Sequence, residues 1–204
     1  MFKRHVALSV ALALLPLSAC TVHVGTNSTT RRHTSTKKSS SFEKRLEFNG
    51  MALQVPYTWR GETDGSRMHV VTGGDCQKQG YPEADTCRGF WLFGAEDIAR
   101  GDEGGPFTPA KPFYPQSDSV PCPNAPETFQ TTPQAPTAER LAQVGTGHRG
   151  DYREWDITCI SPAGGAKEGG FTQRTLHLPQ SRILVVDNWE TAGLVTRLEQ
   201  ATWS

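Results

Sequence analysis

The chain has 204 residues, with 21 basic and 21 acidic side chains and a formal charge of zero. The charge is unevenly spread: residues 1–19 carry Lys3 and Arg4, residues 20–45 carry six basic side chains against Glu43, and residues 46–204 carry 13 basic against 20 acidic, a net −7. The length from residue 46 onward suits one domain, and its acidic balance argues against a nucleic-acid partner.

The first element is a leader. Lys3 and Arg4 precede an apolar run from Val6 to Leu15, and Leu17-Ser18-Ala19-Cys20 follows, small residues before a cysteine; this is the layout of a secretory signal peptide. The run is too short to cross roughly 30 Å of hydrocarbon, for which a helix needs about 20 apolar residues. Leu17-Ser18-Ala19-Cys20 resembles the lipobox of bacterial lipoproteins. That resemblance implies cleavage before Cys20, acylation of its thiol, and attachment to membrane lipid on the extracytoplasmic face. Setting Cys20 aside leaves an even set of four cysteines.

Residues 20–45 are crowded with Ser and Thr and hold Arg31, Arg32, Lys37, Lys38, Lys44 and Arg45. Such a segment buries too little apolar surface to offset its ordering entropy, so a flexible tether is expected. Its cations can lie along anionic headgroups, each contributing on the order of 1 kcal/mol.

From residue 46 strand signals dominate. Leu46, Phe48, Met51, Leu53 and Val55 give two short alternations hinged at Asn49-Gly50, a favoured hairpin turn. Met68 to Thr72 and Phe90 to Phe93 read as strands. Prolines recur between Gly101 and Pro136, which excludes a helix or a central strand and predicts a long external loop. Thr137 is a candidate N-cap for a short helix over Ala138 to Val144. Arg153, Trp155, Ile157 and Cys159 alternate with Tyr152, Glu154, Asp156 and Thr158 in the clearest strand of the chain. Phe171 to Leu178 and Arg182 to Val186 form a second hairpin across Pro179-Gln180-Ser181. Leu194, Val195, Leu198 and Ala201 have helical spacing. The expected fold is α+β: a mostly antiparallel twisted sheet with one or two helices on one face and a long Pro-rich loop, 101–136.

Cys76, Cys87, Cys122 and Cys159 allow three connectivities. Cys76–Cys87 with Cys122–Cys159 is favoured, because the first closes a short Gly- and Pro-containing loop and the second pins the Pro-rich segment to a strand. None has the Cys-x-x-Cys spacing of a zinc or redox motif.

The stretch Gly-Met-Ala-Leu-Gln-Val-Pro-Tyr-Thr-Trp, Gly50 to Trp59, resembles the opening hairpin of small exported lipoproteins in the PsbP/Mog1-like fold group, which show a glycine, an alternating strand and Pro-x-x-Trp. The resemblance implies a binding or assembly-accessory role. The Pro-rich segment and the cysteines stand outside that pattern.

Catalytic signals are thin. There is no Gly-x-Ser-x-Gly elbow, and Gly147-His148-Arg149-Gly150-Asp151 fits an exposed loop better than a catalytic base. His69, His148 and His177 lack the spacings of common zinc enzymes. Glu154 and Asp156, beside Asp151, are candidates for the paired carboxylates of glycoside hydrolysis or for a solvated sheet face. The Gly-Gly pairs lack the Lys-Ser or Lys-Thr of a phosphate loop, and no cofactor is expected. Phe107, Phe113 and Tyr114 in the Pro-rich loop either dock on a partner or tack the loop onto its own domain. The leading expectation is a membrane-tethered, non-catalytic module binding a protein, a lipid or a cell-wall component. The alternative is an extracytoplasmic hydrolase acting on cell-wall carbohydrate or ester.

Overall fold

A computed structural model describes residues 42–74, 76, 87–101, 105–114, 120–123 and 125–204. The leader, Cys20 and nearly all of the tether lie outside the described residues. Strands β1 (Glu43–Phe48) and β2 (Met51–Pro56) form the first hairpin, in antiparallel register from Phe48 opposite Met51 to Glu43 opposite Pro56. Asn49 and Gly50 both have positive φ, 47° and 83°. A two-residue turn of matching twist needs that conformation, and Asn and Gly adopt it at least cost. Because β1 opens at Glu43, Lys44 and Arg45 belong to a strand and not to the tether assigned to them.

The chain continues through β3 (Arg60–Asp64), β4 (Arg67–Gly73), β5 (Arg88–Phe93), a short helix α1 (Ala95–Arg100), β6 (Pro121–Cys122), β7 (Ala125–Gln130), β8 (Ala138–Gln143), β9 (Arg149–Ile160), β10 (Lys167–Leu178), β11 (Ile183–Asp187), α2 (Leu194–Glu199) and β12 (Thr202–Trp203). Among the described residues these strands make two sheets. The larger runs β3-β4-β5-β11-β10-β9-β7-β6, with β8 also on β9; the smaller is β1-β2-β12. Every pairing is antiparallel.

Period-two alternation sends each large-sheet strand's side chains to opposite faces, and both faces are covered. On one, Met68, Val70, Phe90, Leu92, Leu176, Leu178, Ile183 and Val185 meet Phe48, Met51, Leu53 and Val55 of the small sheet and Leu194 and Leu198 of α2. On the other, Phe93, Leu184 and Val186 meet Phe107 and Phe113, with Trp91 and Ile98 against them. β11 is buried at all five positions, as a central strand covered twice requires. Each large side chain buried in these layers contributes on the order of 1.5–3 kcal/mol.

The expected antiparallel sheet and C-terminal helix are present, and three expectations are corrected. Ala138 to Gln143 is strand β8, not a helix; it pairs with β9 from Ala138 opposite Glu154 to Gln143 opposite Arg149. The helices do not share one face: Leu194 and Leu198 of α2 lie in the first core, and Ile98 of α1 lies against the second. The Pro-rich segment is not simply an external loop, since Phe107 and Phe113 are buried and β6 and β7 lie within it. Pro121 and Pro126 lie in β6 and β7, which pair irregularly, and β7 meets β9 only at Phe129 and Gln130.

Cys76 is bonded to Cys87 and Cys122 to Cys159, the favoured connectivity. The second bridge fastens β6 to β9. Among the described residues no helix is long and apolar enough to cross a membrane.

Candidate functional site

Four turns meet at one end of the sandwich and leave an open cleft of about 600 Å³. The end of β1 and its turn supply Glu47 and Asn49, the end of β3 and its turn Thr63 and Ser66, the start of α1 Glu96, and the β10–β11 turn Arg182. Hairpins place these residues because their strands end together. Arg182 has φ of 52°, a conformation uncommon outside glycine. Behind the rim, Asp97 is 5% exposed and receives Arg67 at 2.7 Å, together with the Ser66 hydroxyl. The buried acid therefore holds two elements of the cleft wall together. The cleft offers hydrogen-bonding groups and both signs of charge around an apolar floor of Phe48 and Met68, an arrangement suited to recognition of a polar ligand or a polypeptide edge.

A second polar cluster lies between β9, β10 and the end of β11. Arg174 stands 3.8 Å from Glu154, 3.8 Å from Asp187 and 3.4 Å from Glu190. The Tyr152 hydroxyl donates to Glu154 at 2.5 Å, and the Arg140 guanidinium lies 3.7 Å from the Tyr152 ring centroid. Burial, then the Glu154 carboxylate, pushes the Tyr152 pKa up to about 12. Asp187 accepts from the Trp189 and Thr191 amides and the Thr191 hydroxyl; burial still holds its pKa above the ordinary carboxylate value. Beneath this cluster and α2 is a space of about 10 Å³, room for one water at most. Among the described residues, this space between sheet and α2 is too small to seat a larger ligand.

The sequence-derived candidates are dispersed. His148 packs edge-on against Trp203, 3.7 Å between centroids. Asp151 instead lies opposite His177 in the β9–β10 register, where its charge favours the imidazolium while burial, the larger effect, lowers the His177 pKa. Asp156 is exposed and accepts from Thr172, while Glu154 serves the arginine cluster. His69 is 7% exposed and stacks on Trp91 at 4.3 Å; burial lowers its pKa to about 4. Among the described residues no three His, Cys, Asp or Glu side chains converge as metal ligands would.

The aromatic residues suggested for partner docking are turned inward. Phe107 and Phe113 are 6% and 5% exposed, and they join a line of rings across the sheet: His69, Trp91, Phe93, Phe113, Phe107 and His177. The buried Gln173 amide grips the backbone of Phe113, accepting from its N–H at 2.7 Å and donating to its carbonyl at 3.0 Å. The Tyr114 hydroxyl donates to the Gln130 carbonyl and accepts from the Val120 amide. The segment is fixed to its own sheet by these rings and by the backbone bonds at Phe113 and from the Phe107 amide to the Ile98 carbonyl. Sequence reading missed the cleft entirely; its one signal was the clustering of turn residues, which does not say that turns will meet.

Comparison of the chain with protein-family models, with curated proteins and with solved structures finds no match.

Proposed function

We propose that the protein is a surface lipoprotein, anchored through acylated Cys20 to the extracytoplasmic face of a membrane, whose domain binds a partner protein, a lipid or a cell-wall component without catalysis. The observation that carries this reading is Leu17-Ser18-Ala19-Cys20 behind a charged and apolar leader, joined to a domain with two disulfides, which persist where thiols are not kept reduced. The resemblance of Gly50 to Trp59 to exported assembly-accessory lipoproteins supports the same role. Non-catalytic binding is favoured because His148, Glu154 and His177 are engaged in packing and ion pairing, while the open cleft presents polar groups of both signs.

Intact mass spectrometry of membrane-extracted protein, with and without reduction, tests the reading. The expected species starts at acylated Cys20, gains the mass of four hydrogens when Cys76–Cys87 and Cys122–Cys159 are reduced, and carries a co-purifying partner. An unacylated chain, or free thiols at those cysteines, refutes it.

A further inference from the structure

We propose that Phe42, Lys44 and Tyr57 form a contact patch for anionic lipid that seats the domain on the membrane to which its tether leads; this rests on the reading of Cys20 as the anchor. Phe42 is 77% exposed and Tyr57 71%, unusual for large rings on one small face. The two are paired: the Tyr57 amide donates to the Phe42 carbonyl at 2.9 Å, extending the β1–β2 ladder one step beyond Glu43 opposite Pro56. Counting in twos along that ladder places Phe42 and Tyr57 on the face that carries Leu46 with Leu53 and Phe48 with Met51. Farther along, that face is core, with Leu53 and Met51 each 1% exposed. The apolar face of the hairpin therefore runs past the edge of the core and ends in two rings open to solvent.

The surrounding charge selects the occupant. The Lys44 ammonium lies 5.4 Å from the centre of the Tyr57 ring, so a cation sits at the aromatic pair. The neighbouring acid, Glu43, is already held by Arg197 at 3.0 Å. An amphipathic ring such as that of Tyr57 sits at the headgroup level of a bilayer, and cations there favour anionic lipid. Two rings of roughly 150–250 Å² each fall well short of the approximately 1,200 Å² that a stable protein interface buries. A weak contact suffices if the membrane is already within reach. Phe42 lies 22 positions after Cys20, and a chain of that length reaches at most about 75 Å even when fully extended. The intervening segment carries Arg31, Arg32, Lys37 and Lys38, so it is drawn to the same surface.

The test uses the full mature chain with Cys20→Ser, which removes the acyl group, sedimented with vesicles of phosphatidylglycerol and phosphatidylcholine or of phosphatidylcholine alone. Preferential binding to the anionic vesicles is expected, falling about tenfold in the Phe42→Ser/Tyr57→Ser variant and about fivefold in Lys44→Gln, the latter corresponding to one headgroup-bound cation. An unchanged urea midpoint shows that the variants remain folded. If the parent does not bind, or the double variant binds like the parent and so leaves the tether cations as the whole attachment, the patch is overturned. Failure of the anchor reading is seen separately, as an unacylated Cys20 in the intact mass of the native protein.

Discussion

Acid sensitivity written into the β4–β5 face gives the sharpest stability prediction. His69 is buried against Trp91, and desolvation of its imidazolium lowers the pKa from 6.5 to about 4. The unfolded chain takes up that proton near pH 6.5, whereas the folded one declines it until about pH 4. Stability from the neutral ring is thus complete above the unfolded value and drains away as pH falls through this window. Linkage over such a shift gives a loss of about 2 kcal/mol at pH 5 and about 3 kcal/mol at pH 4. His177 shifts in the same direction, while Asp187, raised by burial, becomes less costly to the fold in acid. Those groups are common to the wild type and to His69→Phe, which keeps a ring on Trp91 and removes the proton site. Urea unfolding of both proteins at about pH 7, 5 and 4, disulfides intact, isolates the His69 contribution as a difference. The variant should lose about 3 kcal/mol less than the wild type between about pH 7 and about pH 4. Parallel loss in the two proteins would refute the argument that burial of His69 drives the sensitivity.

Gln173→Leu leaves the Phe113 amide and carbonyl buried without the side chain that holds them; a loss of about 2–4 kcal/mol is expected, with faster proteolysis between Gly105 and Tyr114, and unchanged urea and proteolysis profiles would contradict it. Replacing Cys122 and Cys159 together by Ala removes a crosslink across a sequence separation of 37, which the chain-entropy account values at about 4 kcal/mol; a urea midpoint equal to that of the parent would show that the bridge constrains little.

The elements legible in the sequence were those whose local pattern and tertiary environment agree. Asn49-Gly50 specifies its own turn, and Trp155, Ile157 and Cys159 alternate because one side of β9 is buried. Ala138-Glu139-Arg140-Leu141-Ala142-Gln143 was misread because all six residues are good helix formers. β9 offers this segment a ladder, Arg153 meets Glu139 at 2.9 Å, and Arg140 covers Tyr152; those contacts exist only in three dimensions and override propensity. β3 escaped notice for the opposite reason: all five of its residues are exposed, so it carries no apolar alternation. For Phe107 and Phe113, composition could not distinguish docking on a foreign surface from docking on the chain's own sheet. What decides it is Gln173, 60 positions from Phe113, whose amide supplies the buried backbone partners. The cleft was illegible because it belongs to no segment, being the gap where separate hairpins end.

The small sheet carries a consequence for the order in which the molecule can be completed. β2 lies between β1 and β12, so the earliest described strands share a sheet with nearly the last residues, and the Ser204 amide donates to the Gly50 carbonyl at 3.0 Å. A chain delivered N-terminus first has both strands of the β1–β2 hairpin at hand but must wait for Thr202 and Trp203 to close that layer. Until then, the edge of β2 that pairs with β12 stands open to other strands. The β1–β2 hairpin and the Cys76–Cys87 loop can form during delivery, whereas the β2–β12 pairing comes late. Removal of Thr202 to Ser204 would be expected to leave that edge of β2 unpaired, which makes these few residues the latch of the small sheet.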